Sequence, residues 1–422
     1  MTPRPQPSPG ATRWPTVRVE EGALGPDSQV RLVVSGVPED FLYPFQRAWA
    51  SAGAALERSG LRLRATSTVS ALSRASQRSL PPVVAQRLEE SLRSTVDAWF
   101  GAPSPVPLPG GRLLATDLRP LVMGVVNVTD DSFSDGGLLY PEGHPQRGIA
   151  HARALVAEGA DVLDIGGEST RPGAEPVRAG EERKRVLPVL EALTAEGAIC
   201  SVDTRKPSVA RPAIGAGAAI VNDVGGASDP ELLEAVAASD AAYVLMHTRG
   251  TPADMQRRTD YTDVVAEVYE FLAEGLRRCA EVGLPPERVM VDPGIGFAKT
   301  SEQNLALLRA LDQFRGLGRP VLVGVSRKSF LGPLSGPVGP WSGGATAATG
   351  QDADPAGAAA PDLAADRREG SLAAATLGVT CGAAVLRVHD VRATVRAARV
   401  ARAVDTGQTD WPAPVRAPVT SG

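Results

Sequence analysis

One unit recurs along the chain from residue 117 onward: a short apolar run with the character of a β-strand, which ends in polar residues and is followed by a helical segment. The apolar runs are LVMGVVNV (121 to 128), VLDIGG (162 to 167), ICSVDT (199 to 204), AIVNDV (219 to 224), AYVLMHT (242 to 248), VMVDPG (289 to 294), PVLVGVS (320 to 326) and AVLRVHD (384 to 390). Continuous apolar strands that alternate with helices are typical of a parallel sheet whose faces are covered by helices.

The number of these units favours one closed architecture. Eight strand and helix pairs are what a (β/α)8 barrel needs, so the repeat predicts an α/β protein with a TIM barrel over residues 117 to 405. An open doubly wound sheet is the alternative, but that architecture does not favour eight strands.

The rest of the chain divides by composition. Residues 1 to 26 are rich in Pro, Gly and Ser and are expected to be flexible, whereas residues 27 to 100 combine strand and helix patterns and predict a small N-terminal α/β domain. Residues 101 to 116 have the composition of a linker. We expect residues 333 to 368 to form a disordered insertion after strand seven, and residues 406 to 422 to form a flexible tail.

Charge and cysteine content exclude several classes of partner. The formal net charge of −4 over 422 residues gives no field that would draw the protein onto nucleic acid or an anionic membrane. The N-terminus carries prolines and charges where a secretory signal needs an apolar core, and no run approaches the length of a membrane span, so we expect a cytoplasmic protein. Cys200, Cys279 and Cys381 lack metal spacing and predict buried, reduced thiols.

Polar residues follow each predicted strand, and in a barrel those positions line the active site. They include Asn127, Asp203, Asn222, Asp292, Lys328, Arg387 and His389, and the fifth strand ends in the apolar Met246 beside His247. Taken singly, an Asp or Asn after a strand is more often a turn residue or a helix cap, and a lone histidine is more often structural.

Taken together, these residues indicate a ligand, because unpaired buried charges at one barrel mouth are costly. Asp203, Asn222, Asp292 and Lys328 offer in-plane hydrogen bonds to a heterocycle with an amidine-like donor edge and a carbonyl. On the other side of the mouth, the set of Asn127, Arg387 and His389 suits a phosphate group with a divalent metal.

Eight motifs, in order, resemble the dihydropteroate synthase family. They are MGVVNVTDDSFSDGG, DIGGESTRPGA, SVDTRKPSVA, VNDV, LMHTRGTPADMQ, DPGIGFAKT, GVSRKSFLG and RVHDV. The resemblance covers residues 121 to about 400 apart from the insertion. It implies condensation of (7,8-dihydropterin-6-yl)methyl diphosphate with 4-aminobenzoate, which gives 7,8-dihydropteroate and diphosphate in folate biosynthesis, at a site that sulfonamides target.

The resemblance also implies roles for single residues. The pterin would be held by Asp203, Asn222, Asp292 and Lys328 with Met246 packed beside it, and the diphosphate by Asn127, Arg387 and His389. Mg²⁺ would be bound with Asn127 as a ligand. The residues implied around 4-aminobenzoate are Asp131, Phe133, Asp135, Thr170, Arg171, Pro172, Phe297 and Ser329. Of the whole set, Asp135, Arg171, Lys328 and Asp203 are the predicted catalytic residues.

The chemistry implied by the resemblance fits the absence of a poised base, since an aniline is neutral and nucleophilic at pH 7. The enzyme would stabilise the departing diphosphate and exclude water. A homodimer is expected from the family alone. Two alternatives stay open: a methyltetrahydrofolate:corrinoid methyltransferase, against which Arg387 and His389 argue, and a paralogue that binds without turnover.

Overall fold

The structure is a computed structural model, and it describes most of the chain. The described residues are 16–22, 29–35, 46–59, 62–79, 82–129, 145–171, 174–335 and 367–416. No helix among these residues is long and apolar enough to cross a membrane.

The N-terminal part forms a four-stranded antiparallel sheet covered by helices. Its strands are β1 (Thr16–Gly22), β2 (Gln29–Ser35), β3 (Ala55–Ser59) and β4 (Arg62–Thr68), in the spatial order β1-β2-β4-β3. Alternate residues of β4 are buried, as expected of a sheet with one covered face. The helices are α1 (Val69–Ser79) and α2 (Pro82–Phe100), and the indole of Trp49 donates to Ser76 Oγ at 2.9 Å inside their core.

A small three-stranded sheet follows where the sequence predicted a linker. Strands β5 (Val106–Leu108) and β6 (Arg112–Leu114) form an antiparallel hairpin across Gly110 and Gly111, both of which have positive φ. The last strand of the chain, introduced below, pairs with β6. The prediction that residues 101 to 116 form a linker was therefore wrong over the hairpin.

Eight parallel strands form the barrel. They are β7 (Leu121–Asn127), β8 (Val162–Gly166), β9 (Cys200–Asp203), β10 (Ile220–Asp223), β11 (Ala242–Met246), β12 (Val289–Asp292), β13 (Leu322–Val323) and β14 (Val385–Val388). From β7 to β12 each strand pairs with its neighbour along the chain, β13 pairs with β14, and β14 also pairs with β7. A parallel bridge between Val291 and Val321 joins β12 to the start of β13 and closes the sheet, so the predicted fold class is confirmed.

Helices between the strands cover the barrel. They are α3 (Gln146–Glu158), α4 (Ala179–Ala195), α5 (Pro207–Gly215), α6 (Pro230–Ala237), α7 (Val264–Glu281), α8 (Ser301–Arg309), α9 (Arg368–Thr380) and α10 (Val391–Thr406). Several of these helices are capped at their first turn by a side chain that accepts a backbone hydrogen bond. Asp263 accepts a hydrogen bond from the Ala266 amide at the start of α7, and Thr300 forms a capping box with Gln303 at the start of α8.

The hairpin determines which end of the barrel is open. Val106, Leu108 and Leu114 from the hairpin are buried in one cluster with residues near the starts of the barrel strands, such as Leu121 and Val162. This apolar plug fills the amino-terminal end of the barrel. The carboxyl ends of the strands are therefore the end at which a site can open.

The N-terminal domain packs on the outer side of the barrel. Tyr269 on α7 donates a hydrogen bond to the Val17 carbonyl at 3.0 Å, and Arg62 forms an ion pair with Glu270 at 2.9 Å. Gly316, in the 3-10 helix Leu311–Leu317, leaves room for Thr95, since a Cβ at that glycine would lie 3.0 Å from Thr95 Cγ2. The contact combines a buried tyrosine, an ion pair and close backbone packing.

The chain termini depart from the sequence predictions. Strand β1 begins at Thr16, within the stretch of 1 to 26 that was expected to be flexible. The final strand, β15 (Val415–Arg416), pairs with β6, and Arg119 lies 4.4 Å from the centre of the Trp411 ring. The expectation of a flexible tail from residue 406 was thus wrong as far as residue 416.

Two further predictions concern the insertion, which lies partly outside the described residues, and the cysteines, which lie within them. Residues 336 to 366 of the predicted insertion are not described, whereas Pro333–Ser335 forms a 3-10 turn and Arg368 begins α9. The three cysteines are free, as predicted. Cys200 and Cys279 are buried, but Cys381 is partly exposed, which corrects the expectation that all three are buried.

Candidate active site

The register of the barrel places the predicted polar residues at one level. Asn127 pairs with Gly166, Gly166 with Asp203, and Asp203 with Asn222, so these four positions lie side by side on neighbouring strands. Met246 is in the same way the partner of Asp292 on the next pair of strands. The residues that end these strands therefore lie side by side, and their roles in a site stay predictions.

Arg387 lies at the centre of the site. Its Nε donates to Asp164 Oδ2 and its Nη2 donates to Asp203 Oδ2, both at 2.6 Å. Asn222 Nδ2 donates to the same oxygen of Asp164 at 3.0 Å. The sequence analysis placed Arg387 across the mouth from Asp203 and Asn222, and this was wrong, because one guanidinium joins the two sets.

Two carboxylate oxygens in this cluster have no partner among the described residues. Asp164 Oδ1 and Asp203 Oδ1 are both buried and accept no hydrogen bond. Buried acceptors without donors are rare in folded proteins, since each one loses its hydration without compensation. Both oxygens are therefore available to N–H donors of a ligand.

Asp203 and Asp292 differ from ordinary aspartates. Burial raises the pKa of Asp203 to about 7, although the neighbouring Arg387 acts in the opposite direction. Burial also raises the pKa of Asp292, against the effect of the Gly294 amide, which donates to Asp292 Oδ1 at 2.7 Å. The ability of Asp203 to accept hydrogen bonds thus changes near neutral pH.

Lys328 enters the same mouth from the turn after β13. Burial lowers its pKa to about 8, and the positive charge of Arg387 adds to that effect. Its Nζ lies 4.2 Å from the centre of the Phe297 ring, a cation–π distance. Gly296 has φ +86°, and a Cβ there would lie 2.9 Å from Lys328 Cδ, so this glycine makes room for the lysine.

Lys299 organises the loop that carries Phe297. Its buried Nζ donates to the carbonyls of Gly294 and Phe297, each at 2.9 Å, and contacts Nδ1 of His247 at 2.9 Å, while burial lowers the pKa of Lys299 well below its usual range. Burial lowers the pKa of His247 well below its usual range, with the charge of Lys299 as a second cause. A neutral His247 whose Nδ1 accepts from Lys299 fits both observations.

His389 is held as a neutral ring. Its Nδ1 and the Ser326 hydroxyl are 3.1 Å apart, and the same hydroxyl accepts from the His389 amide at 3.1 Å. Burial lowers its pKa well below the usual range, and nearby Arg327 and Arg387 add to this. At pH 7 it offers a hydrogen bond rather than a charge.

The remaining predicted residues fall into three groups. Thr170 and Arg171 are partly exposed beyond β8, and the charge of Arg171 lowers the pKa of both Lys328 and His389, which places it near them. Ser329 follows Lys328 and is exposed. The other predictions, which lie outside the described residues, concern Asp131, Phe133, Asp135 and Pro172.

Sequence reasoning missed Asp164 and Lys299. A signal for Asp164 was present, because an acid in the middle of the apolar run VLDIGG must be buried and therefore needs a partner. Lys299 gave no comparable signal in the loop GFAKT.

The described residues include no group of three or more His, Cys, Asp and Glu side chains arranged to hold a metal ion. The expectation of Mg²⁺ therefore depends on Asn127 and on oxygen atoms that a substrate would supply.

Comparisons with known proteins agree with this geometry. The family model described as pterin binding enzyme matches residues 123–389. The dihydropteroate synthase of Synechocystis sp. is 41% identical over 303 residues, which cover 71% of this chain and 96% of that protein.

Solved structures give the same result. The dihydropteroate synthase of Xanthomonas albilineans with 4-aminobenzoic acid is 43% identical, covers 71% of this chain and 99% of that one, and superimposes with a TM-score of 0.60. The Thermus thermophilus enzyme in complex with 6HMPPP is 41% identical, with a TM-score of 0.57 and coverage of 71% and 100%.

Proposed function

The chain belongs to the family of pterin-binding enzymes and acts as a dihydropteroate synthase, a transferase of folate biosynthesis, and we propose how its barrel mouth performs that reaction. The reaction joins (7,8-dihydropterin-6-yl)methyl diphosphate to 4-aminobenzoate. A bond forms between the amine nitrogen and the pterin methylene carbon, the bond from that carbon to the diphosphate oxygen breaks, and the amine loses one proton. The site must therefore hold two substrates and a leaving group.

One observation carries the proposed pterin site: the unpartnered oxygens Asp164 Oδ1 and Asp203 Oδ1, buried beside Asn222. The amino and ring N–H groups of a pterin are donors in one plane, which suits two carboxylate oxygens on neighbouring strands. Asp292 adds a third acceptor and Lys328 a donor for the pterin carbonyl, while Met246 packs at the same level. An apolar heterocycle would not satisfy these oxygens.

Arg387 links pterin binding to diphosphate binding in this proposal. Its Nε and Nη2 are engaged with Asp164 and Asp203, whereas its Nη1 donates to no described residue. That third nitrogen can bond a diphosphate oxygen while the other two keep the acids in place. Asn127 and His389 would supply further hydrogen bonds to the diphosphate.

The donor set suits Mg²⁺ with few protein ligands. The side chain of Asn127 offers a hard amide oxygen, and Mg²⁺ is usually held by one or two protein oxygens together with substrate phosphates and water. When bound, the ion would neutralise charge on the departing diphosphate.

The protein's own residues would do the remaining work. Arg387 stabilises negative charge as the carbon–oxygen bond breaks, and single donors of this kind contribute about 3 to 4 kcal/mol in other enzymes. Thr170, Arg171, Phe297 and Ser329 are proposed to enclose the aminobenzoate and to keep water from the methylene carbon. The predicted roles of Asp131, Phe133, Asp135 and Pro172 stay predictions.

The direct test is turnover of the purified protein with dihydropterin diphosphate, Mg²⁺ and radiolabelled 4-aminobenzoate. We expect dihydropteroate and diphosphate in equal amounts, and omission of either substrate should abolish both. No product at saturating substrates would contradict the proposal and favour a paralogue without turnover. Methyl transfer from methyltetrahydrofolate to a corrinoid would favour the alternative methyltransferase.

The titration of two site residues predicts a narrow pH optimum for pterin binding. Asp203, with a pKa of about 7, accepts hydrogen bonds best when it is ionised, so affinity should fall as the pH drops below 7. Lys328, with a pKa of about 8, must be protonated to donate with full charge, so affinity should also fall above pH 8. Calorimetric titration with a pterin from pH 5.5 to 9.5 checks this, and a flat profile would contradict it.

We also propose that the protein is a homodimer. Val400 and Val404 on α10 and Leu377 on the neighbouring α9 are 65%, 80% and 59% exposed, and apolar side chains on neighbouring helices can form an interface between two copies of the chain. Sedimentation velocity should give twice the 43.8 kDa chain mass, and Val404→Glu should shift the protein toward monomer. The cytoplasmic location expected from the sequence stays a prediction.

A further inference from the structure

A buried cluster of charges lies beside the substrate-facing residues without belonging to them. We call Glu168, Glu182 and Lys206 the loop clamp. Lys206 Nζ contacts the carboxylates of both glutamates, of which Glu168 is 9% and Glu182 is 1% exposed. Nothing in the proposed reaction uses these three side chains directly.

The loop clamp holds both ends of the segment between β8 and α4. Glu168 stands two residues after the end of β8 at Gly166, and its Oε2 accepts from the Val177 amide at 3.1 Å. Lys206 Nζ donates to the carbonyl of the same Val177 at 2.8 Å. Both polar backbone groups of Val177 are therefore bonded to the clamp, two residues before α4 begins at Ala179.

The same cluster is tied to the strand that carries Asp203. Thr204, the next residue, donates from Oγ1 to Glu182 Oε1 at 2.6 Å and accepts from the Lys206 amide at 3.2 Å. Arg205 donates to Glu168 Oε1 at 3.1 Å. The loop base is thus connected through residues 204 to 206 to the end of β9.

The energetics favour a role in geometry over a role in stability. Two buried acids face Lys206 and the partly exposed Arg205, so the cluster is neutral overall. Buried ion pairs contribute little net stability compared with apolar residues of similar size, but they tolerate few alternative arrangements. Apolar side chains at these positions could stabilise the fold equally well, but they would not fix the two ends of the loop between β8 and α4.

Thr170 and Arg171 lie in the segment whose ends are held in this way. We propose that Glu168, Glu182 and Lys206 are positioning residues for 4-aminobenzoate, which fix the loop base so that Thr170 and Arg171 meet this substrate. The inference rests on the proposed function. It does not involve the pterin, whose proposed binding residues lie on the strands or, for Lys328, in the turn after β13.

The test compares Lys206→Met and Glu182→Gln with Lys184→Met, a control on α4 whose side chain is 72% exposed. In both clamp variants we expect the KM for 4-aminobenzoate to rise about tenfold or more, since small displacements of positioning groups have effects of that size. The Kd for dihydropterin diphosphate should change less than about twofold, because strand residues hold the pterin. The control should match the wild type in both.

Hydrogen exchange gives a second readout that does not depend on turnover. Amides in the peptide that contains residues 174 to 178 should exchange about tenfold faster in Lys206→Met, while those of β8 and β9 stay protected. If Lys206→Met fails to fold, the same exchange measurement is made on Glu182→Gln, which keeps an oxygen that can accept from Thr204.

The outcomes separate the two proposals. A wild-type protein without turnover contradicts the proposed function. Turnover in the wild type together with equal losses for both substrates in the variants, or with an unchanged KM for 4-aminobenzoate, overturns the role of the clamp. Unchanged exchange at residues 174 to 178 overturns it as well.

Discussion

Two aspartates, Asp161 just before β8 and Asp164 in the middle of it, allow one decisive comparison. Asp164 accepts from Arg387 at the open mouth, whereas Asp161 accepts from both terminal nitrogens of Arg119 at 2.7 Å and from the Val122 amide at the plugged end. Both are acids paired with an arginine, and they stand three residues apart. If the open mouth of the barrel is the active site, Asp164→Asn and Asp161→Asn should differ in their effects on activity and on stability.

The expected losses of stability follow from the hydrogen bonds. Asp164→Asn keeps one oxygen for Arg387 and Asn222 and loses the charge, and the difference between a charged and a neutral hydrogen bond is about 1 to 1.5 kcal/mol. Asp161→Asn loses the charge and also one of the two bonds to Arg119, so we expect about 2 to 3 kcal/mol. Asp161→Asn should therefore be the less stable variant.

The expected losses of activity run in the opposite order. In Asp164→Asn the amide oxygen still accepts from Arg387, but only Asp203 pairs with it as a charge, and a displaced catalytic group costs about 10- to 100-fold in rate. Asp161→Asn should keep kcat/KM within about twofold, because Arg119 lies at the end of the barrel that the hairpin plugs.

Urea unfolding midpoints and steady-state kinetics on both variants check the prediction. The comparison uses shifts in midpoint, since a chain with two folded parts need not unfold in one step. Activity losses that simply follow stability, or an unchanged kcat/KM in Asp164→Asn, would refute the reasoning.

Three shorter predictions concern titration, thiols and a helix cap. Because burial keeps the pKa of His247 and His389 below the usual 6.5, the unfolded chain binds more protons at lower pH, and acidification from pH 6.5 to 5 should destabilise the fold by up to about 2 kcal/mol for each ring. His389→Gln should accordingly lose less stability than the wild type over this range in urea unfolding. Burial raises the pKa of Cys200 and Cys279 to about 12, so a disulfide reagent at pH 8 should leave both unlabelled in the native protein, as mass spectrometry of peptides would show. Asp263→Ala should lower the thermal midpoint through the loss of a cap that contributes about 1 kcal/mol, and an unchanged midpoint would contradict that role.

The barrel could be predicted because its signals are local. Each strand is a continuous apolar run, and each run ends in residues that a buried strand does not tolerate. Seven of the eight strand ends therefore lay within two residues of their predicted positions, and only the end of β13, predicted at residue 326 and found at Val323, lay farther away. The hairpin of β5 and β6 gave the opposite impression, because Pro107 and the two glycines of its turn are typical of a linker. Pro107 is tolerated because β5 lies at the edge of its sheet. It lies there because β15, about three hundred residues later in the chain, pairs with β6 and not with β5.

The same limit applies within the site. Lys299 and Lys328 both follow barrel strands in glycine- or serine-containing loops, and composition alone does not distinguish them. They differ in what the surrounding backbone offers. The loop after β12 turns two carbonyls inward, and these hold Lys299 Nζ, whereas Gly296 makes room for Lys328 to reach the mouth. Backbone carbonyls thus determine which of the two lysines can contact a ligand. The positions of backbone carbonyls depend on the fold and cannot be read from residue types. The motif resemblance selected Lys328, and the geometry supplies the physical reason for that choice.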